Sequence, residues 1–191
     1  METVFMHDDP LQAERSLSAL GDLPEPAPVH LWNPPYCGEI AIRIARDGRW
    51  YHEGTLIRRP ALVQLFSRIL RREADGSFSL VTPAERVSIR VEDCPFVAVL
   101  LESAEPGQLD FTLNTGERVR AGPAHPIEVQ TRAAEPHPVL RVRPGLDALI
   151  TRNVFYQMVA MAVLETGAPH APESERLVLW SGGEKFVLGA V

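Results

Sequence analysis

In "EIAIRIARDGRWYHEG", residues 39–54, Ile40, Ile42 and Ile44 fall on one side of an extended chain, and Ala41, Arg43 and Ala45 on the other. Asp47-Gly48 then breaks the alternation, which predicts a β-hairpin. The period changes in "RRPALVQLFSRILRREADG", residues 58–76. Leu62, Leu65, Phe66, Ile69 and Leu70 recur at i, i+3, i+4, i+7 and i+8, the spacing of an amphipathic helix. Alternation returns in "FSLVTPAERVSIRVEDCP", residues 78–95, as two strands around Thr82-Pro83.

The order then repeats. "LDFTLNTGERVRAG" predicts a hairpin around Asn114-Thr115-Gly116. "PGLDALITRNVFYQMVAMAVLETG" predicts a longer helix, starting near Pro144 and stopped by Gly167. "ERLVLWSGGEKFVLGAV" predicts a closing hairpin that turns at Gly182-Gly183. Between the first of these hairpins and the helix, "HPIEVQTRAAEPHPVLRV" adds one or two strands. The expected fold class is α+β, with two similar subdomains that each run hairpin, helix, hairpin. The expected boundaries are 1–34 for an N-terminal arm, 35–95 for the first subdomain and 96–191 for the second, joined near Glu92 to Phe96. In the arm, Asp9-Pro10 opens a short helical pattern that Gly21 stops. "LPEPAPVHLWNPP" follows, with five prolines in thirteen residues, an extended segment.

Composition places few further limits. At 191 residues, with 45% hydrophobic and 23% charged content, the chain can bury a core without a disulfide or a metal. Cys37 and Cys94 form no C-x-x-C pair, which fits a reducing compartment. "METVFMHDDP" lacks the basic and apolar runs of a secretory signal, and nothing approaches about 18 consecutive apolar residues. A cytoplasmic location and no membrane partner are therefore expected. The net charge of −6 argues against bulk binding to a nucleic-acid backbone. The charge is uneven, however. From Arg43 to Arg72, eight arginines face two carboxylates, and eighteen of the nineteen basic residues are arginine. Arginine grips phosphate and carboxylate in a bidentate fork.

From Pro35 onward the chain resembles a known bacterial family. The strings "CGEI", "RIARDGRWYHEGTLI", "LVQLFSRILRRE", "LVTPAERVSIRVEDCPFVAV", "NTGERVRAGPAHPI" and "GLDALITRNVFY" are similar to the family of unknown function DUF1285. The resemblance implies a duplicated core, with a C-terminal half superficially like a pleckstrin-homology fold. It also implies a ligand site between the halves, for a nucleotide-like molecule, and a role in signalling.

The candidate residues follow from the hairpin register. If Asp47-Gly48 is a two-residue loop, Arg43 faces His52 and Ile44 faces Tyr51. Arg43, Trp50 and His52 then share the face opposite the isoleucines, where a planar anion could stack. A three-residue loop moves Trp50 and His52 to the isoleucine face instead. With the implied site, Arg43, Trp50, His52 and Arg58 line one side. Asn114, His125 or Arg152 lines the other, with Tyr156 on the same side of its helix as Arg152. Arg152 itself sits in an apolar stretch, where a charge must find a partner or a cleft. Glu92 and Asp93, at the expected junction, either pair with first-half arginines, act as acid and base, or bind a hard cation. The six histidines make no H-E-x-x-H, and no phosphate-loop, dinucleotide or nucleophile-elbow motif occurs. No metal or cofactor is expected. The expected partner is a small anionic or nucleotide-like ligand. The alternatives are a protein partner, or hydrolysis of a small phosphorylated compound by Glu92, Asp93 and His52.

Overall fold

The computed structural model describes residues 27–103, 105, 107–166 and 175–190. The helix expected near Asp9-Pro10 lies outside these residues. The chain is α+β and mostly sheet. It divides by contacts into one unit that ends at Asp93 and a second that starts at Cys94.

In the first unit, β1 (Tyr36–Ile44), β2 (Trp50–His52) and β3 (Thr55–Leu56) form one antiparallel meander. β4 (Leu70–Arg72), β5 (Phe78–Val81) and β6 (Arg86–Val91) form another. The two join through the parallel pair β1–β6, giving the order β3-β2-β1-β6-β5-β4. Between the meanders runs α1 (Pro60–Arg68), which starts on a proline, a residue suited to the first helical turn. Phe66 of α1 stacks on Trp50 with ring centroids 6.1 Å apart. Around them Ile42, Ile44, Ile69, Leu80, Val87 and Ile89 complete a core. The helical pattern in the sequence runs to Leu70, but the helix stops at Arg68. Ile69 and Leu70 are wholly buried, and Ile69 accepts the amide of Val81, so the sheet takes the end of the helical stretch.

The second unit has the same strand plan. β7 (Phe96–Glu102), β8 (Asp110–Leu113) and β9 (Arg118–Arg120) form one meander. β10 (Ile127–Arg132), β11 (Glu135–Arg143) and β12 (Leu146–Ile150) form the other. The parallel pair β12–β7 joins them in the order β10-β11-β12-β7-β8-β9. As in the first sheet, the first and sixth strands of the unit meet at the centre.

The helix does not hold its place in that plan. "LDALI", expected to be helical, is strand β12. Leu146, Ala148 and Ile150 are buried, and Asp147 between them bonds Arg141 on the neighbouring strand. That is a period of two. The helix, α2 (Arg152–Met161), begins eight residues after Pro144 and ends six before Gly167, well inside the expected span. It is followed by a third, three-stranded sheet of β13 (Val163–Glu165), β14 (Arg176–Ser181) and β15 (Glu184–Ala190). The second unit therefore runs through six strands before its helix, rather than hairpin, helix, hairpin. No described helix is long and apolar enough to cross a membrane.

Candidate functional site

The first hairpin closes through three residues, not two. The amide of Ala45 bonds Arg49 O at 2.9 Å, and Gly48 N bonds Ala45 O at 2.8 Å. Gly48 takes the left-handed φ of +79° that the third loop position requires. Asp47 fixes this choice. Its Oδ1 accepts the Arg49 amide at 3.1 Å, and its Oδ2 accepts Arg49 Nε at 2.6 Å.

The register is then Ile44↔Trp50, Arg43↔Tyr51 and Ile42↔His52. This corrects the two-residue reading. Trp50 lies on the isoleucine face, 1% exposed beneath α1, and offers no stacking surface to a ligand. Tyr51 takes its place on the outer face, half-buried, with the Arg43 guanidinium 4.4 Å over its ring. His52 is exposed at the end of β2.

That outer face carries a consistent chemistry. Arg43 neighbours Arg90 across the parallel pair, and Arg86, Ser88 and Arg90 alternate along β6. Arg86 lies 5.2 Å over the ring of Tyr36, and Tyr36 Oη and Ser88 Oγ are 2.9 Å apart. Two arginine–tyrosine stacks thus share one face. Glu92 anchors the first. It accepts Arg43 Nη1 at 2.6 Å and the Arg46 amide at 3.2 Å, while its own amide bonds Ile44 O at 3.0 Å. The hydrogen bond from Arg43, then that from Arg46, holds its carboxyl below the ordinary glutamate value. Asp93 lies 3.9 Å from Arg46 Nε. At this end of the sheet three guanidinium groups (43, 46 and 90) therefore face two carboxylates.

The other expected site residues go elsewhere. Arg58 stands exposed in the loop before α1, without a partner among the described residues. Asn114 is exposed and tied to β7, with Oδ1 accepting the Val97 amide at 3.0 Å and its own backbone amide bonding Val97 O at 2.8 Å. His125 donates Nδ1–H to Arg141 O at 3.1 Å and closes a bridge with Gly122. Both tie strands together. Arg152 opens α2 and is exposed, with Tyr156 one turn on and also exposed, while Val154 and Met158 face inward. The helix begins at Arg152, so that arginine needs no cleft.

Three residues of the outer face escaped the sequence reading: Tyr36, Arg86 and Arg90. Alternation along "RVSIRV" places Arg86 and Arg90 together, but only the parallel pairing with β1 brings them to Arg43 and Tyr36. In the second unit Cys94 Sγ lies 4.0 Å from His137 Nε2, a proximity that no spacing in the sequence suggests. A thiolate and an imidazole supply half of a tetrahedral donor set.

Comparisons with known proteins place residues 27–188 in one family. The model for the N-terminal domain of the family of unknown function DUF1285 matches residues 27–94, and that for its C-terminal domain matches 95–188. No curated protein matches. The crystal structure of a DUF1285 family protein from Silicibacter pomeroyi DSS-3 is similar at 46% identity and a TM-score of 0.79. The match covers 92% of this chain and 94% of that one. A DUF1285 family protein from Shewanella baltica OS155 is similar at 27% identity and a TM-score of 0.52, over 63% of this chain and 91% of that one.

Proposed function

The chain belongs to the DUF1285 family, and from its own geometry we propose that it is a cytoplasmic regulatory binding protein rather than an enzyme. Its ligand is a small planar anion, nucleotide-like in class, held on the outer face of the first sheet, and its occupancy serves signalling. The observation that carries this reading is the pair of arginine–tyrosine stacks, Arg43 on Tyr51 and Arg86 on Tyr36, with Arg90 exposed on β6 beside Arg43. Rings and guanidinium planes on one face suit a flat, negatively charged molecule. The arginine surplus over Glu92 and Asp93 supplies its charge complement.

The hydrolase reading is weaker on the same geometry. A general base works best with a pKa near the operating pH. Glu92 is already committed to Arg43 and to the Arg46 amide, and is held below its ordinary value.

A thermal-shift screen against nucleoside mono-, di- and triphosphates, with inorganic phosphate as the charge-only control, tests the proposal. At least one nucleotide should raise Tm where phosphate does not. Arg90→Gln, on an exposed side chain, should remove that rise without lowering the unliganded Tm. A panel that leaves Tm unchanged, or a rise that survives Arg90→Gln, rejects the site.

A further inference from the structure

Cys94 and His137 stand 43 residues apart in the chain, yet Sγ of one and Nε2 of the other are 4.0 Å apart. Asp93 is one peptide bond from Cys94 and is carried with it. A carboxylate oxygen of Asp93 completes a group of three metal-ligating atoms that all lie within 4.8 Å of one another. Around a tetrahedral zinc, bonds of about 2.0–2.3 Å place neighbouring donors roughly 3.3–3.8 Å apart. The three atoms therefore close on an ion by shifts of about 1 Å, within the reach of small side-chain rotations.

The backbone holds these ligands in place before any ion arrives. Cys94 and His137 are each followed by a proline, Pro95 and Pro138. A residue before proline is kept extended, so the chain beneath both donors has little freedom. The ladder to β10 fixes His137 further, through the pairs Thr131↔Pro136, Gln130↔His137 and Val129↔Pro138. Cys94 is buried, and the Asp93 side chain is only 9% exposed. A carboxylate so far from water calls for a cation close by. Arg46 gives it a loose one: Nε stands 3.9 Å away on a side chain that is 78% exposed. A directly bound ion can displace that contact.

We infer that Asp93, Cys94 and His137 bind one zinc ion. Thiolate and imidazole select zinc over magnesium and calcium, which take oxygen ligands. The thiolate and the carboxylate together neutralise the charge of the ion, which suits a site with little water around it. Three protein ligands leave the fourth tetrahedral position to a water or to a donor atom of a bound molecule. Binding requires the thiolate, so it releases the Cys94 proton to solvent and weakens as pH falls. No short motif announces the site, because one part of it precedes β7 and the other lies on β11. The inference does not rest on the arginine–tyrosine face.

The test uses the full chain, reduced and freed of metal with a chelator. Zinc titrated against a coloured competing chelator should bind at one ion per chain, and an excess of magnesium or calcium should not displace it. Cobalt in its place should give the intense absorption of tetrahedral cobalt and a thiolate-to-metal charge-transfer band. Cys94→Ser should remove that band. His137→Gln should weaken zinc binding at least about 100-fold, because even changes outside the ligand set cost about 10- to 100-fold. Asp93→Asn should weaken it by about 10-fold. Cys37→Ser, which alters the other cysteine, should change neither the band nor the affinity. X-ray absorption on the unaltered protein needs no variant to fold. It should show one sulfur at about 2.3 Å beside nitrogen and oxygen at about 2.0–2.2 Å. Absence of stoichiometric zinc overturns the inference, as does a zinc shell without sulfur. A band that survives Cys94→Ser, or zinc affinity that His137→Gln leaves unchanged, overturns it equally.

Discussion

The two units build the same six-stranded sheet and use it differently. In the first, the helix sits between the meanders, and its Phe66 meets Trp50 on the inner face, which leaves the outer face to arginine and tyrosine. In the second no helix stands between β9 and β10, and α2 follows the sixth strand. Here the arginines are spent on pairs that stay within the sheet: Arg120 with Asp110 at 2.7 Å, Arg141 with Asp147, and Arg143 with Glu117. The strand order therefore does not decide how a face is charged: in the second unit these arginines are matched by acids, and at the Arg43 end of the first they outnumber them.

The comparison breaks most visibly at the aromatics. Trp50 on β2 and Phe111 on β8 occupy the second strand of their units and are both buried. Trp50→Ala and Phe111→Ala should each cost about 3–5 kcal/mol in guanidinium unfolding. If Trp50 instead formed part of the ligand face, its replacement would cost far less.

The loops come next. Arg46–Gly48, Ala74–Gly76 and Asn114–Gly116 share one plan. In each the residue before the loop bonds the residue after it, and the third position is a glycine with φ of +79°, +86° and +86° respectively. Gly48→Ala and Gly116→Ala should each cost about 1–2 kcal/mol, equally in the two units. A clear inequality would show that the loops are held differently.

Acid sharpens the contrast further. Glu92 in the first unit and Asp110 in the second are both held below the ordinary carboxylate range, chiefly by hydrogen bonds from Arg43 and Arg120 respectively. A depressed folded-state value means that their stabilisation is complete above the unfolded-state value of about 4 and is lost as pH falls through the lower folded one. Denaturant midpoints should therefore be flat from neutral pH down to about 5 and then drop. Glu92→Gln and Asp110→Asn should each shrink that drop, by less than either core substitution costs.

The smallest expected effect is a gain. Arg152 places a positive charge at the N-terminus of α2, against the helix macrodipole, and Thr151 makes no side-chain cap there. Arg152→Glu should raise stability by about 0.3–1 kcal/mol at low salt and by less at high salt. An equal gain in both would locate the effect in packing instead.

The sequence by itself determined the α+β class, most of the hairpins and the alternating core positions, because strand faces follow a period of two that residues declare locally. It also carried the family, through long shared strings. Two of its failures have local physics behind them. Asp47-Gly48 resembles a two-residue turn until the carboxylate that accepts the Arg49 amide is counted, and Asp75 does the same for Ser77 at 2.9 Å. In "LDALITRNVFYQMV" the apolar residues fit both periods, and a short apolar run cannot choose between them. Only the tertiary structure decided that β12 pairs beside β7, which makes Leu146–Ile150 a strand, and that β6 lies parallel to β1, which brings Arg90 to Arg43. Both outcomes rest on partners about fifty residues away along the chain. Such pairing pays its loop-closure entropy only when the whole sheet forms, so no window of local sequence can contain it.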